Sequence, residues 1–227
     1  MAAVAGTPTA TSSWVDDSTD QTTSYALDSG ANKIVVVLHT KAFTNRTVTS
    51  VTWNGSALTS AGADDDGNRT RTEIFYLDSP ATGTHNLVID LAGTCTGVAV
   101  IYGVSSGASG APETSAAWSI DGTSPDSVTL TGTSASSLII GGVYFSSFSG
   151  SGIASSNSTR TSTSLNADGS YRAGSGTVSM DRTWTGSLFE ATGFAISIAD
   201  GGGGGGGGNY PYRHIVFGSA VQRAGNY

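Results

Sequence analysis

The chain has 227 residues, of which 32 are Gly, 34 Ser and 30 Thr, and it carries a formal net charge of -7 with only 12% charged residues. Lys occurs only at 33 and 41 and Glu only at 73, 113 and 190, so the straight-chain residues that favour helix are scarce and β-branched and turn-forming types dominate. This excludes helix bundles, coiled coils, TIM barrels and Rossmann folds. The acidic balance excludes duplex nucleic acid as a partner, since that needs a basic stripe. The glycines lack the three-residue period of collagen.

Residues 1–21 are small and polar, with Trp14 among them, and read as an N-terminal arm. No basic region and apolar run of secretory type follow Met1, and the longest apolar run, Ile34 to Leu38, is too short to span a bilayer. The expectation is a chain made in the cytosol, with no membrane partner. From residue 22 the pattern predicts short strands near 22–27, 33–40, 48–53, 72–77, 84–91 and 97–104, then 127–130, 137–145, 171–178 and 189–198. Turn clusters such as Asp28-Ser29-Gly30, Asn54-Gly55, Ser79-Pro80 and Asp168-Gly169 separate them. Many short strands at this spacing predict an all-β fold, an antiparallel two-sheet β-sandwich of jelly-roll or Ig-like type, over residues 22–199.

Alternation within the strands marks the buried face. Leu87, Ile89 and Leu91 point one way, as do Phe194, Ile196 and Ile198. The continuous runs at 33–38 and 138–140 predict central strands covered on both faces. The expected core is Ile34, Val36, Leu38, Val51, Trp53, Ile74, Tyr76, Leu87, Ile89, Val98, Val100, Leu138, Ile140, Phe194 and Ile196. The strand at 33–39 and the strand at 137–145 each follow a small-residue turn and lead into a Gly/Ser/Thr-rich loop, which suggests a duplicated unit. Residues 200–208 contain eight consecutive glycines, a flexible poly-Gly linker. Residues 209–227 form an aromatic tail too short to fold alone.

No residue set assembles into a catalytic, cofactor-binding or metal site. Gly103-Val104-Ser105-Ser106-Gly107 fits G-x-S-x-G, but Ala108 to Pro112 cannot start the helix a nucleophile elbow requires. His39, His85 and His214 lack metal-ligand spacing, and His39 and His85 are expected to cap strands or face water. Asp64-Asp65-Asp66-Gly67-Asn68 misses the EF-hand spacing; the preferred reading is a solvated hairpin loop, with an irregular Ca²⁺ site as the alternative. Cys95 reads as a small buried hydrophobe. Trp118 and Trp184 lie in polar segments and are the candidate glycan contacts.

Val51-Thr52-Trp53-Asn54-Gly55 followed by Leu58-Thr59, then Glu73-Ile74-Phe75-Tyr76-Leu77, then Pro80 and Gly83-Thr84, resembles a β-sandwich module of tailed-phage virion proteins and bacterial surface proteins. The resemblance spans about residues 22–198 and implies a display or binding unit without catalytic residues. The expectation is a non-enzymatic structural protein of a phage particle, assembled into virions in the host cytoplasm. A capsid decoration, cement or spike protein, homo-oligomeric and bound to other virion proteins, fits best. Its docking residues would be Tyr210, Tyr212, Arg213, Ile215, Val216 and Phe217. The alternative is a carbohydrate-binding module of a tail fibre or bacterial surface protein, recognising a surface glycan.

Overall fold

A computed structural model describes residues 2–42, 47–67, 69–118, 120, 124–145, 148–163, 165–188 and 191–201. Among them the regular elements are all strands: β1 (Val4–Ala5), β2 (Thr9–Ala10), β3 (Trp14–Asp17), β4 (Gln21–Leu27), β5 (Ala31–Lys41), β6 (Val48–Trp53), β7 (Ser56–Ala57), β8 (Thr59–Asp65), β9 (Thr70–Asp78), β10 (Gly83–Leu91), β11 (Cys95–Ser105), β12 (Thr114–Ala117), β13 (Asp126–Phe145), β14 (Phe148–Ala154), β15 (Thr159–Ser162), β16 (Ala167–Leu188) and β17 (Ala191–Ile198). Every ladder is antiparallel. The expected all-β sandwich is present.

The strands build three sheets rather than two. The first has the order β11-β5-β9-β8, with β1, β2 and β3 lined up along the free side of β11. Residues 2–17, part of the expected arm, are thus an interrupted edge strand, with Ala3, Thr11 and Trp14 buried. The second sheet, β4-β10-β6-β7, covers one face of the first. Ile34, Val36, Leu38, Val51, Trp53, Leu87 and Ile89 fill the space between. The third sheet, β12-β17-β13-β16-β14 with β15 on β16, covers the other face, where Val35, Val37, Ile74 and Val100 meet Leu138, Ile140, Phe194 and Ile196. Strand β5 is therefore covered on both sides, as its unbroken Ile-Val-Val-Val-Leu run predicts. Tyr76 is only half-buried, packed against this second cluster.

The third sheet folds back on itself. The β13–β16 ladder shifts register between Leu130 and Thr133 and again between Thr133 and Ser137, where Gly132, Ser136 and Gly176 adopt positive φ. Beyond this bend Val128, Leu130, Val178, Met180 and Trp184 lie over Ile139, Val143, Phe145 and Ala195 of the same sheet. The strands expected at 127–130 and 137–145 are one bent strand, because the small residues between them turn the ladder without breaking it.

Two sandwiches of one topology result. In the first, the order is β1–β3, β11, β5, β9, β8; in the second it is β12, β17, β13, β16, β15. The covering layer β4-β10-β6 of the first has its counterpart in the outer part of β13, the outer part of β16, and β14. Details repeat as well. A Cβ on Gly97 would strike the Trp14 ring, and a Cβ on Gly193 would strike Trp118. Each sandwich thus seats a Trp of its leading edge strand on a Gly of its last strand.

The two sandwiches face each other in reversed order. Strand β17 lies over β8 and β9, β13 over β5 and β9, β16 over β11, β15 over β2, and β12 over β8. That reciprocity is the pattern of an isologous dimer interface, here within one chain, with the pseudo-two-fold between β5 and β13. His39 opposes Val98 in its ladder and Gly142 opposes Phe194 in the other. The two equivalent positions meet across the axis, where a Cβ on Gly142 would come 3.0 Å from His39 Cε1. One side contributes an imidazole and the other contributes the room for it.

Candidate functional site

A buried set of charged side chains lies inside the second sandwich and reaches the interface. Alternation along β16 turns Asp168 and Ser170 inward, and Arg182 on the outer part of the same strand folds back to meet them. Arg182 Nε and Nη2 donate to Asp168 at 2.9 and 2.7 Å, and Arg160 Nε donates to it as well at 2.6 Å. Arg182 Nη2 also donates to Ser170 Oγ, and its guanidinium sits 5.0 Å from the Trp118 ring centroid. Asp168 and Arg182 are both fully buried. A buried carboxylate saturated by two guanidiniums is compensated but gains little net stability; it fixes the geometry of the strands that carry it.

The backbone of Asp168 extends the set across the interface. Its carbonyl lies 3.0 Å from His39 Nε2, and His39 Nδ1 lies 3.0 Å from Thr72 Oγ1. A carbonyl only accepts, so Nε2 carries the proton and Nδ1 accepts from the Thr72 hydroxyl. Thr72 Oγ1 in turn lies 3.0 Å from Thr192 Oγ1. Burial pushes the His39 pKa down to about 4, outweighing the upward pull of Asp168. His39, expected at a strand end or on a wet face, is thus a neutral, buried bridge. The Tyr102 hydroxyl, beside the Asp168–Arg182 pair, is buried without a hydrogen-bond partner among the described residues, and burial pushes its pKa upward. Asp168-Gly169, expected as a turn, lies within β16; position 169 is glycine because a Cβ there would strike Tyr102 and Val100.

A second polar cluster ties the rim where one sandwich passes into the other. Lys33, almost completely buried, pairs with Asp78, donates to Gly110 O at 2.9 Å and lies over the Tyr76 ring. Asp78 accepts from Gly110 N at 2.6 Å, and Asn32 exchanges two bonds with Gly107. The G-x-S-x-G segment therefore ends a strand and opens a pinned connector. Asp200 bridges Gly107, and Gly201 N donates to Ser106 O.

The Asp64–Asp66 run closes the β8–β9 hairpin, with Asp64 and Asp65 still in strand. Asp64 accepts from Gly193 N across the interface at 3.0 Å, Asp65 from Gly67 N, and Asp66 from Arg69 N and Thr70 N. Among the described residues no group of three or more His, Cys, Asp or Glu is placed to hold a metal ion. Cys95 is buried.

The two candidate glycan contacts are corrected. Trp118 is 1% exposed and Trp184 5%. Trp118 continues β12, its backbone N–H donating to Gly193 O. Trp184 follows Met180 and Arg182 on the inward face of β16, its ring 5.3 Å from that of Phe145. The polar neighbours of Trp184 in sequence, Thr183 and Thr185, are the outward alternates of the same strand. Tyr210, Tyr212, Arg213, Ile215, Val216 and Phe217 lie outside the described residues. In comparisons with known proteins, no family model matches this chain, and no curated protein or solved structure does either.

Proposed function

We propose that this chain is a non-enzymatic structural subunit of a phage particle, a capsid decoration, cement or spike protein held to its neighbours by the segment 209–227. The observation that carries the reading is the anchorage of Gly201 on Ser106 at the rim between the two sandwiches. From that fixed point the sequence continues into glycines and then Tyr210, Tyr212, Ile215, Val216 and Phe217. A double sandwich with a doubly covered central sheet is a stiff body, and an adhesive peptide on a glycine spacer is an economical way to attach it. The Ser- and Thr-rich composition and low Lys content suit a surface that faces the exterior of a particle.

The test is mass spectrometry of purified particles from cells that make the chain. The expected result is the chain in the particle fraction at a fixed ratio to the major shell protein. A chain found only in the soluble lysate overturns the proposal. Deleting residues 209–227 is expected to leave the chain soluble and off the particle; full incorporation of the shortened chain would refute the attachment route.

A further inference from the structure

A groove lies on the covering side of the first sandwich, between β4 and the interrupted edge strand. Thr7, Thr9, Ser24, Tyr25 and Asp28 line a part of about 340 Å³. A smaller part of about 140 Å³, lined by Gly6, Gly30, Gly103 and Ser105, shares Asp28 and runs up to the rim. Among the described residues strand β4 pairs only with β10, so its other edge offers backbone donors and acceptors to the groove. The groove starts one residue from Ser106, which holds Gly201.

We propose that this groove is the docking site of the chain's own segment 209–217, added to β4 as an antiparallel strand. Reach, direction and charge support this occupant. Asp200 and Gly201 follow β17 of the third sheet, whereas the groove lies against β4 of the second, so a segment reaching it must pass the end of one sheet, about 10 Å. The seven glycines 202–208 have a root-mean-square span of about 13–16 Å. A segment entering at Asp28 and following β4 back towards Gln21 runs antiparallel to it. A short glycine tether gives such a segment an effective concentration in the millimolar range, which favours its own groove over that of another copy. Asp28 is exposed and stands at the entrance, where Arg213 arrives. The β-branched pair Ile215-Val216 with Phe217 then suits strand addition beside Tyr25. In the free subunit the segment is parked, and particle assembly releases it. The inference rests on 209–227 being adhesive, as proposed above, but its test uses the isolated full chain and is independent of any particle.

Full-length chains carrying Ser24→Cys together with Ile215→Cys, Val216→Cys or Phe217→Cys are oxidised under dilute conditions. A disulfide needs the two Cα atoms within roughly 7 Å. At least one pair is expected to close within a single chain, seen as a faster-migrating monomer without reductant. Crosslinked dimers in place of that monomer would assign the groove to a second copy and overturn the proposal, as would the absence of any crosslink. In a second measurement, the β4 amides are expected to exchange about tenfold more slowly in the native chain than in Phe217→Asp. Equal rates would also overturn it.

Discussion

The two sandwiches follow one path and are filled differently. The first is closed by an apolar cluster around Val36, Trp53 and Leu87. The second encloses the Asp168–Arg182 pair beside Met180, Trp118 and Trp184. Their covering layers differ too: β4 and β10 are separate strands, whereas in the second sandwich the same places are taken by the bent ends of β13 and β16. A bent hairpin of Ser, Thr and Gly has weak side-chain signals for register. The ion pair supplies one, because Arg182 can meet Asp168 only when the bend sits where it does. The first sandwich gains its register from Asn54-Gly55 and from Trp53 inside a conventional core.

The largest expected effect breaks that difference. Arg182→Ala strands Asp168 beside Arg160 alone and is expected to cost about 3–5 kcal/mol, the range for removing one partner of a buried pair. The double variant Asp168→Leu/Arg182→Met should recover most of the loss. Urea unfolding measures both; a double variant as unstable as the single one would mean that the pair does more than compensate itself.

His39 gives the next effect, through pH. Its ordinary value is 6.5 and burial holds it at about 4 in the folded chain. Between those values the unfolded chain takes up a proton that the folded chain refuses, so stability falls as pH falls from 6.5 towards 4 and this contribution is flat above and below. The total is about 3 kcal/mol, at roughly 1.4 kcal/mol per pH unit. His39→Gln should flatten the slope between pH 6.5 and 5. An unchanged slope would show that another group titrates there.

The pseudo-two-fold predicts a smaller, positional effect. A Cβ on Gly142 would press on the Asp168 carbonyl and come 2.7 Å from Val37 Cγ1, so Gly142→Ala is expected to cost about 1–3 kcal/mol. At Gly30 a Cβ meets nothing within 4 Å, and Gly30→Ala should stay within about 0.5 kcal/mol. Thermal unfolding of the two variants side by side checks the contrast.

Much of this architecture is legible in the residues, and what is hidden is hidden for physical reasons. The runs at 33–38 and 138–140 mark the two central strands because strands covered on both faces cannot alternate. Their similar settings mark the duplication. The edge strands β1 to β3, β12 and β15 are illegible because short edge strands are polar on the outward side and held by pairing rather than by their own pattern. The buried pair escapes notice because Asp168 precedes a glycine and resembles a turn residue, while its partner lies 14 positions later on the same strand. Trp184 looks exposed for the converse reason: in a strand, its polar neighbours Thr183 and Thr185 belong to the opposite face.

The smallest effect concerns how each sandwich holds its leading edge strand. The first uses Trp14 and Thr11, whose N–H donates to Ala99 O at 2.9 Å while its hydroxyl accepts from Ala99 N at 3.1 Å. The second uses Glu113, just ahead of β12, whose carboxylate accepts from Ser137 Oγ at 2.7 Å, Ser197 Oγ at 2.9 Å and the backbone and hydroxyl of Ser134. Burial pushes the Glu113 carboxyl up, but the hydrogen bonds from Ser134, Ser137 and Ser197 together outweigh it and hold it below the ordinary value of 4.5. A depressed carboxyl stabilises the fold above its unfolded pKa, and that contribution fades as pH falls through the lower folded value. Glu113 is exposed, so solvent screens most of the charge. Glu113→Gln, which keeps the shape and one acceptor, is therefore expected to cost only about 1 kcal/mol at pH 7. The gap between the variant and the native chain should narrow steadily below pH 4, where the native side chain also becomes neutral. Denaturant midpoints at pH 7 and pH 3 decide it: a gap of the same size at both would mean that the carboxylate's charge contributes nothing to holding β12, and that shape alone does.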